Sequence, residues 1–193
     1  MVQKERGTIL QKRKKLIILD RDGVINYKSE NYIKNPCEWI PIPGSLEAIA
    51  CLNKADYQVV VATNQSGVGR GYYSLDTLET IHEKMQRELS KVGGYVDRIY
   101  FCPHVPEVKC NCRKPKPGLL HLIANDFPEA FPSSTFIGDS LQDIQAGQIV
   151  GCQVVLVKTG NGEETIIVGK GLEAVSIYED LQDFVNHLVL KSE

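Results

Sequence analysis

Short, mostly apolar segments alternate along this chain with longer stretches in which apolar residues recur at helical spacing. The apolar segments, which we predict to be strands, are residues 16–19, 58–62, 98–101, 135–137 and 153–157. The helical stretches are residues 44–55, 75–92, 117–126, 140–150 and 179–190. Strands that lack polar alternation are typical of parallel sheets whose two faces are both covered. The alternation therefore predicts an α/β fold, a Rossmann-like parallel sheet with helices on both faces.

Length and charge limit what such a chain can bind. The 193 residues suit one domain over residues 1–193, with residues 1–14 as a flexible leader. A net charge of −2 gives no general attraction to nucleic acid or to a membrane surface. No segment approaches the roughly 20 apolar residues of a membrane span, and the N-terminus lacks the apolar core of a signal peptide. We expect a cytoplasmic monomer that binds neither nucleic acid nor membrane.

Polar residues follow four of the five predicted strands. Asp20, Thr63, Cys102 and Asp139 each stand at the end of an apolar segment. The carboxyl ends of parallel strands share one edge of the sheet, and ligands of open α/β sheets bind outside that edge. The sequence therefore predicts an active site where these four residues converge.

The run Asp20-Arg21-Asp22-Gly23 carries the chemistry of phosphoryl transfer. Asp20 can attack phosphorus as a nucleophile, and Asp22 can protonate the leaving group and later deprotonate water. Two unit charges about 4 Å apart repel by about 4 kcal/mol at an effective dielectric constant of about 20, so a carboxylate needs a cation to approach a phosphate. Asp139 is the predicted further ligand of Mg²⁺. Asp143 either orients that metal or is an ordinary acid at a helix N-terminus.

Two further motifs supply groups that hold phosphoryl oxygens. The hydroxyl and backbone N–H groups of Thr63-Asn64-Gln65-Ser66-Gly67 can donate to these oxygens, although a plain polar turn has the same composition. Lys114 can neutralise the charge that develops on the phosphoryl group, and Arg113 can clamp a second oxygen-rich group. Two solvated surface cations are the alternative for that pair.

Cysteine and histidine cluster in one short segment. Cys102, His104, Cys110 and Cys112 provide the four ligands of a closed tetrahedral Zn²⁺ site, which predicts a structural zinc-bound loop. Reduced cysteines beside a surface histidine are the alternative. The other histidines, His82, His121 and His187, lie in helical stretches and are expected at surface or boundary positions.

In this order, Asp20/Asp22, Thr63, Lys114 and Asp139 resemble the motifs of the haloacid dehalogenase superfamily of phosphatases, over most of the chain. The resemblance implies an aspartyl-phosphate intermediate and Mg²⁺ bound by Asp20, the main-chain carbonyl of Asp22, and Asp139. No long insertion follows either early motif, which predicts the absence of a large cap domain.

Within that superfamily the closer resemblance is to the heptose bisphosphate phosphatases, through residues 20–26, 63–67 with Arg70-Gly71, and 112–115. It implies removal of the C7 phosphate of a heptose 1,7-bisphosphate, in ADP-heptose synthesis for lipopolysaccharide, with zinc ordering the Arg113–Lys114 loop. Ser140 stands where these enzymes often have a lysine, a cation that Lys28 or Arg70 could replace. The expected substrate-binding residues are Arg21, Lys28, Ser29, Glu30, Asn31, Tyr32, Asn64, Gln65, Ser66, Arg70, Arg113 and Ser140.

Two alternatives remain open at this point. Histidinol-phosphate phosphatases resemble the chain in the same motifs and also carry such a zinc loop. A zinc-stabilised interaction module without turnover is the alternative from another class, although it has no need of the full set of motif residues. We favour the heptose enzyme because the loop Asn64–Gly67 with Arg70-Gly71 matches it better.

Overall fold

The computed structural model describes residues 15–190, so the leader predicted for residues 1–14 lies outside the described residues. The strands are β1 (Lys15–Leu19), β2 (Tyr57–Asn64), β3 (Arg98–Cys102), β4 (Thr135–Gly138), β5 (Gln153–Val157) and β6 (Ser176–Tyr178). The helices are α1 (Ser45–Lys54), α2 (Ser66–Gly69), α3 (Leu75–Lys91), α4 (Gly118–Asp126), α5 (Leu141–Ile149), α6 (Gly162–Val168) and α7 (Leu181–Leu190).

All six strands form one parallel sheet in the order β3-β2-β1-β4-β5-β6. The parallel α/β sheet predicted from the sequence is thus confirmed. The chain order reverses between the central strands β1 and β4, which makes this the switch point where open sheets place their ligands. The sequence patterns did not predict α2, α6 or β6. The last of these is a three-residue, largely exposed edge strand, so it lacks an apolar run that could reveal it.

Apolar side chains cover both faces of the sheet. Ile17 and Leu19 of β1 pack in one cluster with Trp39 and residues of α1, α3 and α7. Leu16 and Ile18 point to the other face and pack with Phe136 and residues of α4. Because successive residues of a strand face opposite sides, this burial of every β1 residue from 16 to 19 explains the unbroken apolar run.

A serine side chain caps the start of α3. The Ser74 hydroxyl accepts a hydrogen bond from the N–H of Thr77 at 3.1 Å and so caps α3.

Within residues 15–190, the segment between β1 and α1 is a loop with one short 3-10 helix, Pro36–Glu38, and no separate cap domain interrupts the sheet. None of the helices in this range is both long and apolar enough to cross a membrane.

Candidate active site

The ends of β1 and β4 bring two motif carboxylates together. Leu19 pairs with Ile137, and the N–H of Asp20 donates to the Ile137 carbonyl at 2.9 Å. Asp20 and Asp139 therefore leave neighbouring strands at the same edge. Thr63 belongs to the end of β2, which runs two residues further than the sequence predicts.

These residues line a cavity of about 260 Å³ at the carboxyl edge of the sheet. Twelve of the residues predicted for the site form part of its wall: Asp20, Asp22, Lys28, Ser29, Tyr32, Thr63, Asn64, Gln65, Arg113, Lys114, Asp139 and Ser140. The wall does not include Arg21, Glu30, Asn31, Ser66 or Arg70.

Lys114 forms the cationic floor of the cavity. Its ammonium group lies 3.0 Å from Asp20 and 2.6 Å from Asp143, and it donates to the Ala62 carbonyl at 2.7 Å. Burial by itself disfavours the charged amine, but the carboxylates of Asp143 and Asp20 together outweigh it and raise the Lys114 pKa. The lysine is therefore charged at neutral pH and held against the candidate nucleophile.

Three buried carboxylates lie near Lys114, and together they can carry more negative charge than its single positive charge neutralises. Oxygen atoms of Asp20, Asp139 and Asp143 lie within 4.8 Å of one another. Burial, with neighbouring carboxylates, raises the pKa of Asp20 to about 6 and that of Asp139 to about 8. The excess negative charge and hard oxygen donors fit a divalent cation such as Mg²⁺. Among the described residues, the Asp22 side chain is not part of this group.

Asp143 has two roles in the structure. Its Oδ1 pairs with Lys114, while its Oδ2 accepts from the N–H and the hydroxyl of Ser140 at 3.1 and 2.6 Å. It is thus both the acid of the first turn of α5 and the second partner of the lysine. The Ser140 hydroxyl therefore donates its hydrogen bond to Asp143, although Ser140 lines the cavity.

Asn161 completes the surroundings of Asp139 and was not predicted. Its N–H and its Nδ2 donate to Asp139 Oδ2 at 2.8 and 3.0 Å. The neighbouring Gly160 has φ +62, and a Cβ there would lie 2.1 Å from the same oxygen. Thr159 donates to the Gly23 carbonyl at 2.6 Å and ties this loop to the first motif. The run Thr159-Gly160-Asn161-Gly162, which follows the predicted strand 153–157, is the sequence feature that could have indicated Asn161.

Buried side chains donate hydrogen bonds to the Asp22 carboxylate. Burial alone would raise its pKa, but the Arg21 guanidinium, with hydrogen bonds from Asn26 and Gln65, lowers it. Arg21 is 1% exposed and faces Asp22, Gln65 and His82 instead of the cavity. His82 is 8% exposed, contrary to the surface or boundary position expected for it.

A sulfur- and nitrogen-lined cluster lies beside the cavity. The Sγ atoms of Cys102, Cys110 and Cys112 are 3.2–3.6 Å apart, and His104 Nδ1 lies 3.3 and 3.7 Å from Cys112 and Cys102. A tetrahedral site with Zn–S bonds of about 2.3 Å has ligand atoms about 3.8 Å apart, so four converging donors at these distances could hold a metal ion. Arg113 follows directly and donates to the His104 carbonyl at 3.4 Å.

Comparisons with known proteins identify relatives of this chain. A family described as HAD-hydrolase-like matches residues 111–184. The D-glycero-beta-D-manno-heptose-1,7-bisphosphate 7-phosphatase of Pseudomonas putida is 51% identical over 175 residues, which cover 91% of this chain and 99% of that protein.

Two solved structures are similar to this chain in fold as well as in sequence. The D,D-heptose 1,7-bisphosphate phosphatase from B. bronchiseptica, complexed with magnesium and phosphate, matches with a TM-score of 0.89 and 48% identity, over 92% of this chain and 99% of that one. The corresponding enzyme from Burkholderia thailandensis matches with a TM-score of 0.73 and 43% identity, over 91% and 99% of the two chains.

Proposed function

This chain belongs to the heptose 1,7-bisphosphate 7-phosphatase family of HAD-like phosphatases, and we propose that it is a Mg²⁺-dependent phosphomonoesterase that removes the C7 phosphate of D-glycero-β-D-manno-heptose 1,7-bisphosphate. The supporting observation is the convergence of Asp20, Lys114 and Asp139 on one cavity floor. The product, a heptose 1-phosphate, would serve ADP-heptose synthesis for lipopolysaccharide.

Asp20 is the proposed nucleophile. One of its oxygens attacks phosphorus, the bond from phosphorus to the sugar oxygen breaks, and that oxygen takes a proton from Asp22. Asp22 then takes a proton from water, whose oxygen attacks phosphorus, so that phosphate leaves and Asp20 is restored. Burial raises the Asp22 pKa, but the Arg21 guanidinium and hydrogen bonds outweigh it, so Asp22 is ionised in the free protein. It would take up the proton that it donates from solvent when a phosphate dianion binds beside it.

Charge and hydrogen-bond donors support this reaction at the floor of the cavity. Lys114 stabilises the negative charge on the phosphoryl oxygens in transit. The Thr63 hydroxyl oxygen accepts from Gln65 at 3.0 Å, which leaves its proton free for a phosphoryl oxygen. Mg²⁺, which Asp20, Asp139 and the Asp22 main chain would hold, supplies charge neutralisation and polarises the phosphoryl group.

Two cations at the cavity wall would hold the second phosphate. Lys28 donates to Asn161, and Arg113 donates to the His104 carbonyl, so among residues 15–190 neither makes an ion pair with a carboxylate. Ser140 cannot replace them because its hydroxyl is bound to Asp143. We assign the C1 phosphate to Lys28 and Arg113, and Arg70, outside the cavity wall, is not needed for it.

The cysteine cluster would hold structural Zn²⁺. Four protein donors leave no open position for chemistry, so the ion would order the loop that carries Arg113 and Lys114.

A phosphate-release assay tests the proposed function. We expect Mg²⁺-dependent release of one phosphate from heptose 1,7-bisphosphate, with a higher kcat/KM than for histidinol phosphate, and no release by Asp20→Asn. A higher kcat/KM for histidinol phosphate would reassign the substrate. Full activity of Asp20→Asn would overturn the mechanism, and no turnover of any phosphomonoester would favour the non-catalytic zinc module.

A further inference from the structure

We propose that His82 and Tyr73, two residues outside the catalytic motifs, are positioning residues that fix the Asp22 carboxylate through Arg21 and Gln65. The inference rests on the proposed role of Asp22 as the acid and base of the reaction. Neither residue follows a strand end or belongs to a motif. Tyr73 lines the cavity, whereas His82 does not.

Both oxygens of Asp22 are bound on the side facing the protein. Oδ1 accepts from Arg21 Nε and Nη2 at 3.2 and 3.0 Å and from Asn26 Nδ2 at 2.8 Å. Oδ2 accepts from Arg21 Nη2 at 3.0 Å and from Gln65 Nε2 at 2.8 Å. The orientation of the carboxylate therefore depends on where the guanidinium and the amide are held.

His82 holds the far end of the guanidinium. Its Nε2 lies 3.2 Å from Arg21 Nη1, and both side chains are buried. A guanidinium has only donors, so the imidazole nitrogen must accept and His82 must be neutral with its proton on Nδ1. Burial, and then the charge of Arg21, lower the His82 pKa to about 3, in keeping with that tautomer.

Tyr73 fixes which way the Gln65 amide points. The Tyr73 hydroxyl donates to Gln65 Oε1 at 2.8 Å, and Arg21 Nη2 donates to the same oxygen at 3.1 Å. With its oxygen bound to two donors, the amide must turn Nε2 toward Asp22 and Thr63. The Tyr73 ring is itself confined, because a Cβ on Gly67 would lie 2.3 Å from it.

A positioning role for the acid has a specific kinetic signature. An alkoxide is a poor leaving group and needs the proton of Asp22 in the transition state, whereas the p-nitrophenolate ion leaves without one. Misalignment of Asp22 should therefore slow cleavage of a sugar phosphate more than that of an aryl phosphate. It should act on kcat rather than KM, because the Tyr73 hydroxyl is bound to Gln65 and His82 does not line the cavity.

The test compares Tyr73→Phe, His82→Phe and His82→Gln with wild type on heptose 1,7-bisphosphate and p-nitrophenyl phosphate. We expect kcat for the sugar to fall about tenfold in the two phenylalanine variants, with KM within about twofold, while kcat for the aryl ester falls less than about threefold. His82→Gln, which retains an acceptor, should recover most of the sugar activity. Tyr178→Phe and His121→Gln, at positions far along the chain from the site, are the matched controls.

Equal losses on both substrates, a change in KM alone, or no loss in either phenylalanine variant would overturn the inference. Tyr73→Phe removes one hydroxyl only, so it keeps the test decisive if His82→Phe does not fold, as judged from thermal melts. If wild type cleaves other alkyl phosphates but not heptose 1,7-bisphosphate, the proposed substrate fails, and the alkyl-to-aryl comparison still decides the role of the two residues.

Discussion

The side-chain amide of Asn64 makes two hydrogen bonds with the main chain of Lys114. Its Oδ1 accepts from the Lys114 N–H at 3.1 Å, and its Nδ2 donates to the Lys114 carbonyl at 3.1 Å. Asn64 ends β2, whereas Lys114 lies in the loop that follows the cysteine cluster. One amide thus joins the sheet to that loop and sets the point from which the ammonium reaches Asp20.

Replacement of this amide should displace the lysine. In Asn64→Leu we expect kcat to fall by at least about tenfold, because small misplacements of catalytic groups are costly. Two backbone groups also lose their partners, which should lower the free energy of unfolding by about 1–3 kcal/mol. Steady-state kinetics and urea unfolding measure both effects. Asn186→Leu, at an exposed position of α7, is the control, and an unchanged kcat in Asn64→Leu would show that Lys114 does not depend on this amide.

Loss of the zinc ion proposed for the cysteine cluster should disorder the loop that carries Arg113 and Lys114 and leave the sheet folded. We expect Cys110→Ser to lose bound zinc and at least about tenfold in kcat/KM while its far-UV circular dichroism stays that of wild type. Cys37→Ser, an exposed cysteine outside the cluster, should change neither quantity. Metal content is measured beside activity in each variant. A zinc-free protein with wild-type kinetics would refute a role for the ion in ordering Lys114.

Glycine at position 160 is required by close packing against Asp139. In Gly160→Ala the new Cβ would meet Asp139 Oδ2 at 2.1 Å, so we expect loss of Mg²⁺-dependent activity by at least about 100-fold. Gly151 also has a positive φ, +77, but a Cβ there meets nothing within 4 Å. Gly151→Ala should therefore cost only about 1–2 kcal/mol of stability and no activity. Equal activity of the two variants would contradict this explanation.

Burial of His82 should make the protein sensitive to acid. Its pKa of about 3 in the folded protein lies below the value of about 6.5 in an unfolded chain, so the stability it contributes is present above pH 6.5 and is lost as pH falls toward 3. Between pH 7 and pH 5 the free energy of unfolding should therefore fall by about 2 kcal/mol. Denaturant unfolding of wild type and His82→Gln at both pH values measures the difference. A drop of the same size in the two proteins would exclude His82 as its source.

Sequence patterns predicted the sheet edge at which the candidate site residues meet, because strand ends and residue types are local properties. The buried run Leu16–Leu19 predicts a central strand. Because parallel strands have their carboxyl ends at the same edge of the sheet, Asp20 and Asp139 are expected at that edge. The four donors from Cys102 to Cys112 are likewise close together in the sequence, so their convergence needed little from the fold.

Tertiary packing alone decided which distant side chains support these groups. Whether Arg21 faces the cavity or the interior, and whether His82 is exposed or buried, depends on how α3 packs against the first motif. Asn161 reaches Asp139 only because the loop after β5 passes the end of β4. Such contacts join segments far apart in the chain, and no periodicity or spacing within either segment encodes the partner that packing provides.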